Sequence, residues 1–262
     1  MSELHQCPFV SREDWKKKSS SSHASVQLLS RTQNPSPCPS NRTTGWLLGL
    51  SGAHVGEDIR ITEGEMYVGS GWDSDIVITI PEVSRKHAKI TTTKEDTFIQ
   101  DNASATGVSV NGENIQEAKK LKHGDKIKFG VGEFLYFALN PDADEGYLSA
   151  RESILKALNK AVAPTVGWLV CRSGEYLGLD FRLSLGLNRV GSLPGIEVAL
   201  PDQNLNSVHM NLECSMERFY LRPGYANMSV IRAGSPIEHP ARLQDGDTFK
   251  IGALELVLRS LT

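Results

Sequence analysis

The chain has 262 residues, a net charge of -3 and 39% hydrophobic side chains, enough for one large domain or two of ordinary size. That near-neutral balance supplies no field to gather nucleic acid or an anionic membrane surface, and no apolar run approaches the roughly 18 residues of a membrane-inserted helix. The N-terminus lacks a signal-peptide core, and the four cysteines are too scattered for a disulfide scaffold, so a cytoplasmic protein with reduced thiols is expected.

Residues 1–44 are rich in Ser, Pro, Asn and Lys, with the run Ser19–Ser22 and the segment Asn34–Ser40. Such a composition cannot bury enough apolar surface to offset its ordering entropy, and a disordered tail is expected. His5, Cys7, His23 and Cys38 fall in this tail at spacings that match no zinc-binding pattern, so neither a metal nor a cofactor is implied.

An internal repeat follows. Gly45-Trp46-Leu47 recurs as Gly167-Trp168-Leu169, an offset of 167 − 45 = 122. The same offset aligns Val68-Gly69-Ser70 with Val190-Gly191-Ser192, His87 with His209, Gly112 with Gly234, and Gly124-Asp125 with Gly246-Asp247, with no insertion. A period this long is a duplicated domain. Within each copy, short alternating segments separated by turn residues indicate strands: Ile76, Ile78 and Ile80 share one face, and Lys126–Phe129 and Thr248–Ile251 alternate polar and apolar. The expected fold is all-β, with two β-sandwiches at 45–140 and 165–262. Between them, in the linker 141–164, Ile154, Leu155, Leu158, Ala161 and Val162 recur at helical spacing. Ser149 and Glu152 form a capping box and Pro164 marks the stop, so one short amphipathic helix is expected, its stripe packed on a neighbouring sandwich.

No nucleotide-binding loop, metalloprotease motif or nucleophile elbow is present, and one histidine per copy at the aligned position makes no catalytic constellation. The chain reads as a non-catalytic binding protein.

In copy one, Val83-Ser-Arg-Lys-His-Ala-Lys-Ile90, together with Gly69, Asp75-Ile76, Asp101, Gly107, Val110-Asn-Gly112 and Gly124-Asp125, resembles the forkhead-associated (FHA) domain. The resemblance implies a phosphothreonine-binding β-sandwich. Ser84 would donate its hydroxyl to the phosphate, Arg85 would add positive charge, and Ser70, Ser104 and Thr106 would complete the peptide-binding loops. Gly69, His87, Asn111 and Gly112 would support them. The sequence departs from the family pattern at Ser70, where an arginine is usual, and at Thr106, where an asparagine is usual. Copy two keeps the framework but replaces Ser-Arg by Asn206-Ser207, and reads as a degenerate scaffold copy. Two readings stay open: a phosphothreonine-dependent recruiter in signalling, or a phosphate-independent assembly module, as in secretion-system-associated degenerate FHA proteins. The partners implied are a phosphothreonine-containing protein or other protein subunits, with no nucleic acid and no membrane insertion.

Overall fold

The computed structural model describes residues 42–94, 96–141, 154–156, 158–159, 161, 164–224 and 229–261. The tail to residue 41, with its Cys and His residues, and the Ser149–Glu152 capping box lie outside them. The protein is nearly all β. Copy one contributes β1 (Thr43–Gly49), β2 (Asp58–Thr62), β3 (Gly64–Gly69), β4 (Ile76–Val77), β5 (Ala88–Thr92), β6 (Thr97–Asp101), β7 (Val108–Val110), β8 (Glu113–Asn114), β9 (Lys119–Lys120), β10 (Lys126–Phe129) and β11 (Gly132–Ala138). Copy two repeats them from β12 (Thr165–Cys171) to β22 (Leu254–Ser260), each strand displaced by 122 residues.

Each copy is two sheets face to face. In copy one the first has the order β2-β1-β11-β10-β7-β8 and the second β4-β3-β5-β6-β9. Period-two patterning decides which side chains enter the core. Ile127 and Phe129 of β10 point inward while Lys126 and Lys128 face out, and Ile90 and Ile99 of the second sheet meet Leu47 and Phe134 of the first. Ile76, Ile78 and Ile80 are all buried. Each such side chain contributes about 1.5–3 kcal/mol of burial free energy.

Strands β1 and β12 are buried on both faces, which the alternation alone does not explain. Leu47 and Leu169 enter their own cores, but Trp46, Leu48, Trp168 and Val170 point the other way. They form a third cluster between the sandwiches with Leu135, Phe137, Leu139, Val257 and Leu261. Residues 154–156 and 158 are helical, and Ile154 and Leu158 are buried in this same cluster. Ile154 and Leu158 of the linker therefore join a cluster drawn from both sandwiches.

Trp46 and Trp168 stack at 4.1 Å between centroids and 10° between planes. Each indole then bonds across to the other copy: Trp46 Nε1 donates to Asp180 Oδ2 at 2.9 Å, and Trp168 Nε1 donates to Asp58 Oδ2 at 2.9 Å. The hydroxyls do the same, Thr43 to Asp180 Oδ1 at 2.8 Å and Thr165 to Asp58 Oδ1 at 2.9 Å. Arg60 Nε lies 2.9 Å from Asp180 Oδ1, and Arg182 Nε 3.6 Å from Asp58 Oδ1. Two buried carboxylates thus find their hydrogen-bond donors in the opposite copy, which offsets their desolvation. Strand β1 begins at Thr43, two residues before the boundary read from the sequence, because Thr43 belongs to this interface. The thiols of Cys171 and Cys214 are free and buried, and burial pushes both up to about 12.

Candidate functional site

Three loops of copy one meet at one end of the sandwich: β3–β4, β4–β5 and β6–β7. Gly69 closes the first approach, since a Cβ there would lie 2.1 Å from the Arg85 carbonyl oxygen. With that side chain absent, Ser70 N–H donates to Ser84 O and Gly71 N–H to Arg85 O, both at 3.0 Å. Ser74 Oγ adds a bond to Arg85 O at 2.7 Å.

His87 is buried and holds the second and third loops. Ser84 N–H donates to its Nδ1 at 3.0 Å, so the ring proton is assigned to Nε2, which donates to Gly107 O at 3.0 Å. Asn102 Nδ2 reaches Lys86 O at 3.0 Å. Asn111 (φ 55°) and Gly112 (φ 85°) make the left-handed turn between β7 and β8. The Asn111 side chain also donates to Asp125 Oδ1 at 2.8 Å, fixing the turn before β10.

The candidate ligand residues divide by what their polar atoms already do. Ser84 Oγ accepts the Ala105 N–H at 3.0 Å, which leaves its own hydrogen to donate outward. The Arg85 side chain is 76% exposed and approaches Asp73 at 3.8 Å. Lys86 lies 3.9 Å from the same carboxylate and 4.9 Å above the Tyr67 ring. Thr106 is exposed and donates to Glu82 O at 3.2 Å, keeping its oxygen as an acceptor. Ser70 turns its hydroxyl onto Val83 O at 2.7 Å. Ser104 donates to Asp101 Oδ1 at 2.5 Å and accepts Gly107 N–H at 2.9 Å, so it ties β6 to the following loop. Ser84, Arg85 and Thr106 are thus the outward-facing members of one loop cluster.

The FHA domain family model matches residues 188–252, and a model for the cytoplasmic domain of an inner-membrane component of the type III secretion system matches residues 49–140. The chain carries two FHA-like domains in tandem. The FHA match falls on the copy without Ser-Arg, so it follows framework positions rather than ligand residues. A human relative, the proliferation marker protein Ki-67, is 37% identical over 68 residues, which are 26% of this chain and 2% of that protein. The chain therefore spans a small fraction of that relative's length. The FHA domain of CT664 from Chlamydia trachomatis is 29% identical, with a TM-score of 0.35 over 37% of this chain and 100% of that one. The cytoplasmic domain of the sorting-platform protein PscD from P. aeruginosa is 22% identical, with a TM-score of 0.34 over 36% of this chain and 80% of that one.

The second FHA-like copy keeps the loop scaffold but has Asn206 and Ser207 where copy one has Ser84 and Arg85. Ser192 N–H donates to Asn206 O at 2.9 Å and Leu193 N–H to Ser207 O at 3.1 Å, the bonds that Ser70 and Gly71 make in copy one. Ser192 Oγ closes on Leu205 O at 3.0 Å, as Ser70 closes on Val83 O. Neither Asn206 nor Ser207 brings a charge. His209 is buried like His87, yet neither ring nitrogen has a partner of hydrogen-bond geometry among the described residues.

Burial holds His209 below the usual histidine range, and the nearby Ser229 backbone opposes only part of that shift. Because the folded state favours the neutral ring, the unfolded chain takes up the proton first. Stability is therefore full above about pH 6.5 and falls as the pH drops below it. Urea midpoints compared at pH 7.5 and 5.5 should show this loss, and His209→Leu should diminish it.

The sequence reading missed three members of the first site. Asp73 is the carboxylate facing Arg85 and Lys86. The Glu82 carbonyl anchors Thr106. Trp72, on the β3–β4 loop beside Asp73, is 82% exposed. Trp72 and Asp73 adjoin the loop glycine Gly71 in the sequence, a signal that polar motif matching passes over.

Proposed function

We propose that copy one binds a phosphothreonine-containing protein segment, that copy two is a scaffold without a phosphate site, and that the tandem is a non-catalytic cytoplasmic interaction module in signalling. The observation that carries this reading is the pairing of a Ser84 hydroxyl free to donate with an exposed Arg85 guanidinium. A phosphate of about -1.5 to -2 charge takes such donors as charge-assisted hydrogen bonds. Thr106 keeps an oxygen to accept a peptide N–H. Among the described residues, no helix is long and apolar enough to cross a membrane.

Asp73 competes with a phosphate for Arg85 and Lys86. Its contacts are exposed and long, so each has the modest strength of a surface ion pair. Asp73→Asn should therefore tighten phosphopeptide binding by about twofold to fivefold.

One observation favours the other reading, a phosphate-independent assembly module. In both copies the residue after the loop glycine is a serine whose hydroxyl closes on its own loop, at Val83 O and Leu205 O. The match of copy one to a secretion-system component agrees with that reading. Capture from a degenerate phosphothreonine peptide library, before and after phosphatase treatment, separates the two. Retention lost with the phosphate supports recognition, and retention indifferent to it supports assembly.

A further inference from the structure

We propose that copy two is a built-in partner for copy one, seated on a face that accepts a copy-one surface and rejects a second copy two. The contacts between the sandwiches are exchanged under the 122-residue offset: Thr43, Trp46, Asp58 and Arg60 correspond to Thr165, Trp168, Asp180 and Arg182 and are identical at all four positions. Each copy gives the other the same donors and the same carboxylate. That is the pattern of an isologous dimer interface, folded here into one chain.

A residue that touches its own counterpart lies on the pseudo-twofold axis. Trp46 meets Trp168 there. The second such pair is Phe137 and Arg259, again 122 apart, with the guanidinium 5.1 Å from the phenyl centroid. Here the copies differ. Phe137 sits edge-on to His123 at 4.4 Å, whereas Arg259 Nε bonds Asp245, the counterpart of His123, at 2.9 Å. Arg259 also donates to the Leu139 carbonyl of copy one.

These axial residues set the choice of partner. Copy one against copy two puts a cation on an aromatic face, a favourable and largely dehydrated contact. Copy two against copy two would set Arg259 against Arg259 at a site where the side chain is 4% exposed, so two guanidiniums, each held by its own Asp245, would meet face to face in place of the cation–aromatic contact. Copy one against copy one would set two phenyl rings together, which is tolerable. The linker decides that case by holding copy two at an effective concentration of order millimolar.

The test uses the full chain with a protease site placed within residues 142–153, cut and then examined by gel filtration. The wild-type halves should co-elute. Phe137→Arg, which brings arginine against Arg259, should weaken the association at least tenfold and let the halves separate. Exchanging the axial pair together with its flanking side chains, His123→Asp, Phe137→Arg, Asp245→His and Arg259→Phe, should restore co-elution, and that recovery distinguishes selectivity from misfolding of copy one. Separation of the wild-type halves, an unaltered Phe137→Arg variant, or failure of the exchange to restore association would each overturn the proposal.

Discussion

Arg85→Ala should abolish phosphate-dependent binding by the full chain. Arg85 is the exposed guanidinium beside the Ser84 hydroxyl, and the position following the loop glycine, usually a second arginine, is Ser70 with its hydroxyl turned onto Val83 O. A charge-assisted hydrogen bond lost from phosphate costs about 1.5–3 kcal/mol, a factor of ten or more. The fold should not suffer, since the Arg85 side chain is 76% exposed and, among the described residues, meets Asp73 at 3.8 Å, while the loop bonds to its backbone carbonyl are kept. Replacing Asn206 and Ser207 together should leave binding intact, because copy two offers no charge there. Calorimetry with one phosphothreonine peptide reads both variants. An unchanged affinity for Arg85→Ala would mean that phosphate is held elsewhere or not at all.

Asp180→Ala should strongly destabilise the junction. It removes the acceptor of the Trp46 indole, of the Thr43 hydroxyl and of one Arg60 contact in a single step. Breaking a buried ionic and hydrogen-bonded cluster from one side costs about 3–5 kcal/mol, because desolvated donors and a guanidinium lose their counterpart. Asp58→Ala, at the corresponding position, should cost a similar amount through Trp168 and Thr165. The measurement is the shift in urea midpoint with the slope monitored. A loss below about 1 kcal/mol would place these carboxylates among ordinary surface pairs. A second, separate transition would show that the substitution uncouples the sandwiches.

The duplicated sandwich was legible because its determinants are local and recur. The alternation in Lys126–Phe129 and the left-handed turn at Asn111-Gly112 each specify an element without reference to distant chain, and the offset of 122 repeats them. The loop cluster was legible through the resemblance, which named Ser84, Arg85 and Thr106, and the structure brings these to one end. What each serine does there was not. Ser70 and Ser84 are the same residue type in adjoining loops, and only the surrounding backbone turns one hydroxyl onto Val83 O and leaves the other to donate.

The junction was the larger omission. Trp46 was visible only as part of a repeated triplet, and the face it occupies is decided by a partner 122 residues away. Asp58 and Asp180 find their donors in the opposite copy, a pairing that no local pattern announces. One signal was present in the chain: Asp-x-Arg recurs at the repeat offset as Asp58–Arg60 and Asp180–Arg182, beside the recurring tryptophan. Charges repeated in step with a buried aromatic point to a shared interface rather than to solvent.

The most direct test of phosphothreonine recognition is a calorimetric titration of the full chain with a library-selected peptide in matched phosphorylated and unphosphorylated forms. The phosphorylated peptide should bind at one site per chain, with affinity at least tenfold weaker without the phosphate, the loss expected for charge-assisted bonds of about 1.5–3 kcal/mol. Equal affinity for the two forms, or two equivalent sites per chain, would contradict it.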